Sequence, residues 1–131
     1  LLRLHNDLPE QTEDVMNRVI GAAIEVHRHL GPGFLEPVYH KAMRIELGER
    51  GMKFEAEKRV PVTYKCRRLA SHKLDLIVDD CVIVEIKAVS QLEEVHGAQL
   101  LSYLKATGLR AGLLMNFNKV VLKAGLRRIV L

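Results

Sequence analysis

The 131 residues contain no tryptophan, only 5% aromatic residues and two cysteines. Each scarcity excludes something. A binder of single strands that works by stacking needs exposed rings in number, and the chain does not have them. Its core must instead be built from Leu, Ile, Val and Ala. Cys66 and Cys81 have no metal-type spacing, and a disulfide scaffold would need more of them. A reduced, cytoplasmic setting is expected. No apolar run approaches the ~18 residues of a membrane span, so no membrane partner is expected. The opening LLRLHNDLPE is too short and too polar for a signal peptide, and it carries no initiator Met. Internal repeats and low-complexity stretches are also missing.

What is present is an ordinary globular balance, with 48% apolar and 27% charged residues. The length is that of one domain, expected over residues 1–131, which buries roughly two thirds of its unfolded surface. A net charge of +4 permits a polyanionic partner without establishing one.

Thr12 is placed to cap a first helix, with Glu13 and Asp14 in its favourably charged first turn. Val15, Val19, Ala22 and Val26 supply its apolar stripe, and Gly31-Pro32 stops it. A second helix is expected from about Leu35 to Arg50, with Val38, Ala42, Ile45 and Leu47 on its apolar side and Gly51 as its C-cap. After Gly51 the period changes to two. Phe54 to Tyr64 reads as a strand that Pro61 confines to an edge. Leu74 to Val78 and Val82 to Ala88 read as two more, around an Asp79–Asp80 turn. Ser90 and Glu93 form a capping box for a helix ending near Thr107 and Gly108. AGLLMNF reads as a buried strand. Val120 to Leu122 and Leu126 to Leu131 are expected as a final hairpin or strand pair. The order predicts an α/β or α+β domain, a mixed central sheet flanked by helices. The helix between the Glu85 strand and AGLLMNF should be a right-handed crossover joining parallel neighbours.

The chemistry concentrates in LDLIVDDCVIVEIKAV. Alternation puts Leu74, Leu76 and Val78 on one face of their strand; a one-residue slip would set Leu74 opposite Glu85, but only pairing with Ile86, Val84 and Val82 keeps one face wholly apolar. In that register Asp75 lies beside Glu85, with Lys87 two residues further on. Opposed like charges destabilise a sheet. A divalent cation resolves the conflict, because Mg²⁺ takes hard oxygen ligands, typically one or two carboxylates with waters and substrate phosphate. Such an ion activates water and neutralises charge developing on phosphorus. A nearby lysine can orient that water or stabilise an oxyanion. Taken alone, the pattern also fits a solvated charged hairpin.

The motif has company. Asp75, nine residues, then Glu85-Ile86-Lys87 resembles the PD-(D/E)XK nuclease superfamily. Gly33 to Tyr39, GFLEPVY, is similar to the G-x-x-E-x-x-Y signature that names a small family within it. Gln99 to Tyr103 resembles the Q-x-x-x-Y helix motif of RecB-type nucleases. The similarity covers nearly the whole chain and implies a restriction-endonuclease-like core. It implies Glu36, Asp75, Glu85 and Lys87 as catalytic residues. It also implies Asp75, Glu85, the Ile86 backbone carbonyl and Glu36 around Mg²⁺ or Mn²⁺. Gln99, Tyr103 and, from the signature, Tyr39 would be accessory residues at the substrate; His96, three residues before Gln99 on the same helix face, is a further accessory candidate. Two departures concern the loop before the Asp75 strand: Cys66 stands where relatives usually carry Gly, and the stretch to Asp75 is about one residue shorter.

Other features have blander readings. GPGFLE follows a helix and lacks a third glycine, so it is no dinucleotide loop. His27 and His29 lie near a helix end, where cations favour the dipole. His72 precedes the Asp75 strand. Lys65, Arg67 and Arg68 form a basic turn, and Arg127 and Arg128 another cluster, either solvated or on phosphate. Two functions remain: a Mg²⁺-dependent nuclease acting on nucleic acid, DNA ahead of RNA, or a catalytically silent module of that fold binding nucleic acid or protein. With no separate recognition domain, a homodimer or a partner subunit is expected.

Overall fold

The computed structural model describes residues 8–131; most of the opening stretch read above lies outside them. The element order is α1 (Glu10–Leu30), α2 (Glu36–Glu49), β1 (Phe54–Tyr64), β2 (Arg67–Val78), β3 (Val82–Lys87), α3 (Glu94–Thr107), β4 (Ala111–Asn116) and β5 (Leu126–Val130), with a 3₁₀ turn at Leu122–Gly125 before β5. The strands form one mixed sheet in the order β1-β2-β3-β4-β5. β3 and β4 are parallel neighbours as expected, with α3 between them in the chain, and the other pairs are antiparallel. No helix among the described residues is long and apolar enough to cross a membrane.

α1 and α2 cover one face of the sheet and α3 the other. Val15, Val19, Ala22 and Val26 of α1 are buried as their spacing requires. Each such valine contributes roughly 1.5–3 kcal/mol by leaving water. On that face they meet Leu76, Val78, Val84, Ile86 and Leu113. On the other, Leu100 and Leu104 of α3 pack on Leu74, Ile77, Ile83 and Leu114.

Several boundaries differ from expectation. α1 starts at Glu10, with Pro9 rather than Thr12 at its N-cap and no side-chain cap; its first turn carries Glu10 and Glu13 toward the positive dipole end. α2 buries Tyr39, Met43 and Leu47, leaving Val38 and Ile45 exposed. The Tyr39 hydroxyl sets that rotation. It donates to the Gly31 carbonyl at 2.6 Å and accepts the Phe34 N–H at 3.1 Å, while its ring stacks on Phe117. α3 begins at Glu94, because the capping box is Glu93 with His96 rather than Ser90 with Glu93. The final hairpin is absent: Val120 and Val121 are exposed, and the chain passes through the 3₁₀ turn into β5, which pairs with β4.

That turn is held close to β4. A Cβ on Gly125 would fall 2.2 Å from the Asn116 carbonyl oxygen. Asn116 is fully buried. Its Oδ1 accepts the Val89 and Asn118 N–H groups, and its Nδ2 donates to the Val89 carbonyl at 2.8 Å. The segment leaving β3 is therefore tied to the end of β4.

Candidate active site

β2 and β3 pair as the apolar pattern predicts, Val78 with Val82 and Leu76 with Val84. The turn between them has three residues, and Asp79 and Asp80 take the left-handed conformation that short polar side chains tolerate. The ladder then stops. At the next position the Asp75 N–H donates to Glu85 Oε2 at 3.0 Å, and the Ile86 N–H donates to Asp75 Oδ2 at 2.8 Å. Two carboxylates occupy the parting of the strands, and each accepts a backbone donor from the other strand. The distortion extends to β1, where Glu57 lies between the Ala56–Leu76 and Lys58–Leu74 pairs with a φ of 54°.

Strict alternation fails at this point. Leu74, expected on the apolar face with Leu76 and opposite Ile86, packs under α3 with Ile77 instead. Asp75 consequently reaches toward α2, where its Oδ1 lies 3.3 Å from His40 Nε2. Glu85 follows Ile83 on the side of α3, and its charge is felt by Tyr103. The carboxylates meet across a gap in the sheet rather than side by side on one face.

Glu85 is 7% exposed. Burial first, and the Asp75 charge second, push its carboxyl up to about 7; the Asp75 N–H and Lys87 pull the other way, and Glu36 adds to the rise. The Tyr103 hydroxyl is raised by burial and then by Glu85 and Asp75. His40 is raised chiefly by its bond to Asp75, against the opposing effect of burial.

Glu36, at the first position of α2, lines a cleft of about 340 Å³ together with His40, Lys41, Arg44, Lys73 and Asp75. Lys87 ends β3 opposite Asn116 and acts electrostatically on Glu85. Tyr103 faces the site from α3 and lies 5.1 Å from the His72 ring. Gln99 is exposed one turn earlier. His96 accepts the Glu93 N–H through Nδ1, closing the α3 cap. Tyr39, expected at the substrate, is fully buried and holds the loop that presents Glu36. His27 bonds the Lys119 carbonyl, His29 pairs with Glu25, and Arg128 pairs with Glu13, so these serve the fold.

The residue that motif reasoning missed is His40. The available signal was its spacing: four residues after Glu36, it lies on the same helix face.

A hard divalent ion fits this donor set. Asp75 and Glu85 each commit one oxygen to a backbone N–H, which fixes the carboxylate; the second oxygen of Glu85 remains, and that of Asp75 is the one 3.3 Å from His40 Nε2. Among the described residues no three His, Cys, Asp or Glu side chains gather as ligands. An ion here would depend on two carboxylates, backbone oxygen and water, the usual sparse shell of Mg²⁺.

The model of a family described as the PD-(D/E)XK nuclease superfamily matches residues 13–129. No curated protein and no solved structure matches the chain.

Proposed function

The chain belongs to the PD-(D/E)XK nuclease superfamily, with a restriction-endonuclease-like α+β fold, and from that premise we propose that it hydrolyses phosphodiester bonds in nucleic acid with Mg²⁺ or Mn²⁺. One observation carries the reading. The sheet gives up its ladder at Asp75 and Glu85 to hold two carboxylates in a gap, with Lys87 two residues away. A buried acid set against a second carboxylate, its carboxyl raised to about 7, is the kind of group that functional sites collect.

Asp75 and Glu85 would hold the ion, with the Ile86 carbonyl and Glu36 completing its shell directly or through water. When bound, the ion supplies charge neutralisation and acidifies water. Lys87 orients the attacking water or stabilises charge on the phosphorus oxygens. Tyr103, with Gln99 on the same helix face, holds the substrate or the lysine. His96 stands at the start of that helix. His40 orients Asp75. Within the superfamily, GFLEPVY supports a G-x-x-E-x-x-Y family member. DNA is the substrate ahead of RNA, and the whole acts as one domain, alone, as a homodimer or with a partner subunit.

A second reading is a silent module of the same fold that binds nucleic acid or protein. The absence of a three-residue ligand cluster among the described residues favours it. Calorimetric titration with Mn²⁺ and Mg²⁺, run beside cleavage assays on DNA and RNA, decides between the two. The nuclease binds an ion and cuts, and Glu85→Ala and Lys87→Ala cut at least about 10²-fold more slowly. Wild-type protein that binds no ion at millimolar concentration and cuts neither substrate leaves the silent module.

A further inference from the structure

The β1–β2 hairpin outruns the body of the protein. Val60 and Leu74 are its last buried residues, and from Pro61 to Lys73 the chain is exposed apart from the half-buried Val62 and Ser71. The pairing nevertheless continues to Tyr64 and Arg67, with Leu69 as an extra residue opposite the Val62–Thr63 step. Beyond the contact of His72 with Tyr103 no layer covers this stretch, and two strands alone bury little and are marginal. Stability does not explain this ribbon.

Its composition does. Residues 58–73 contain six Lys or Arg and no Asp or Glu, more positive charge than the whole chain's +4, so the remainder is net negative. The pairs with acids lie at its base, Lys58 with Glu55 and Lys73 with Glu57. Lys65, Arg67 and Arg68 crowd the tip beside exposed Tyr64. Arg59 and Ser71 share one ribbon face, and Lys73, two residues on, lines the cleft with Asp75 and with Lys41 and Arg44 of α2. Cationic side chains thus run from the tip down to the cleft, where Glu36, Glu57 and Asp75 are the acids.

We infer that this ribbon is the arm by which the protein holds B-form duplex DNA, entering the major groove and presenting one strand to Asp75 and Glu85. The location of the cut rests on the nuclease reading above; the grip on the duplex does not. A two-stranded ribbon fits the ≈12 Å major groove of B-DNA. The deep, narrow major groove of A-form RNA does not admit it. Single strands require stacking rings in series, whereas the ribbon offers Tyr64 alone. Arg68 precedes Asp75 by seven residues, about 23 Å of extended strand. Contacts at the tip therefore fall well to one side of the cut, and the footprint is lopsided.

The test is fluorescence anisotropy in EDTA, so that no cleavage intervenes. The probes are a mixed-sequence DNA duplex two helical turns long, the matching RNA duplex and one DNA strand. The arm variant carries Lys65→Ala, Arg67→Ala and Arg68→Ala. A charge-matched control carries Arg18→Ala, Lys123→Ala and Arg127→Ala, on α1 and at the opposite edge of the sheet. All six side chains are exposed, and circular dichroism verifies folding. Wild type should bind the DNA duplex at least about tenfold more tightly than either other probe. The arm variant should lose about tenfold or more, and its log–log salt slope should fall by about 2.7, three phosphate contacts at 0.9 each. The control should match wild type. Wild-type affinity and slope in the arm variant would overturn the inference, as would equal loss in the control or equal binding of the RNA duplex. Arm-dependent binding to phosphatidylserine vesicles without duplex binding would overturn it too. If wild type grips the duplex through the arm yet cuts nothing with Mn²⁺, the nuclease reading falls and this inference stands.

Discussion

β3 has two neighbours and treats them differently. With β4 it keeps six consecutive pairs, Val82–Ala111 to Lys87–Asn116. With β2 it keeps three and then lets go. The first ladder sits between two packed faces, and its side chains are buried almost throughout. The second ends where two carboxylates take over the backbone donors. Cohesion and chemistry are carried by opposite edges of one six-residue strand. The side that stays paired lets the other side open without unravelling the sheet.

Damage on the β4 side should cost the most. Leu113→Ala removes a buried residue paired with Val84, and the lost transfer energy and cavity should cost about 4 kcal/mol, read as a lower urea midpoint. On the β2 side the largest effect should be catalytic. Lys87→Ala should lower cleavage by about 10²–10³-fold or more with little change in thermal midpoint. Losing that ammonium should also move Glu85 further up, since Lys87 holds it down. Carbon-detected titration of the Glu85 carboxyl checks this. A variant that unfolded instead would erase the division between the two edges.

The third test uses pH. Glu85 titrates higher folded than unfolded, so its contribution to stability is intact below the ordinary carboxyl range near 4.5 and is lost as pH rises through about 7. At pH 8 without divalent ions the penalty is on the order of 3 kcal/mol. Glu85→Gln should recover most of it, because the amide oxygen still accepts the Asp75 N–H. Adding Mg²⁺ or Mn²⁺ should raise the wild-type midpoint at that pH and leave that variant unmoved. Thermal melts across pH 5–8 read both. The smallest effect lies at the far end of β2. Lys65 and Cys66 have φ values of 49° and 63°, the two left-handed residues of a tight hairpin turn. Cys66→Gly should stabilise by about 1 kcal/mol, measured by denaturant titration. An equal gain in cleavage would mean that strain at the tip reaches the parted strands.

Much of the regular side of this comparison was legible in the residues. Apolar alternation on two short strands defined the Leu76–Val84 register, and a capped helix between strands implied the parallel pair. The parting at Asp75 was not legible. It follows from carboxylate bonds to backbone on the opposite strand, and no period in the sequence records those. The identity of the acids and the lysine came from motif spacing; the sides they take came from the break. The outer half of β2, Arg67 to Lys73, escaped notice as a strand because neither face is buried and no apolar alternation develops. The face of α2 was misread because Val38 and Ile45 are apolar enough to suit a core, while the bonds of one tyrosine hydroxyl turn Tyr39, Met43 and Leu47 inward.

Gly125 lies outside every motif and has no functional group, yet it governs a tolerance. Asn116, whose carbonyl leaves Gly125 no room for a side chain, is the residue directly across from Lys87. It also clamps Val89, two positions beyond that lysine. Any side chain at Gly125 must lift either the 3₁₀ turn or the end of β4, and the second displacement passes straight to the ammonium. Motif scans weigh the lysine and ignore the glycine, although the clearance at one is a machining limit on the other. In a chain that keeps all its acids and its lysine, a bulky residue here would misalign them without touching any of them.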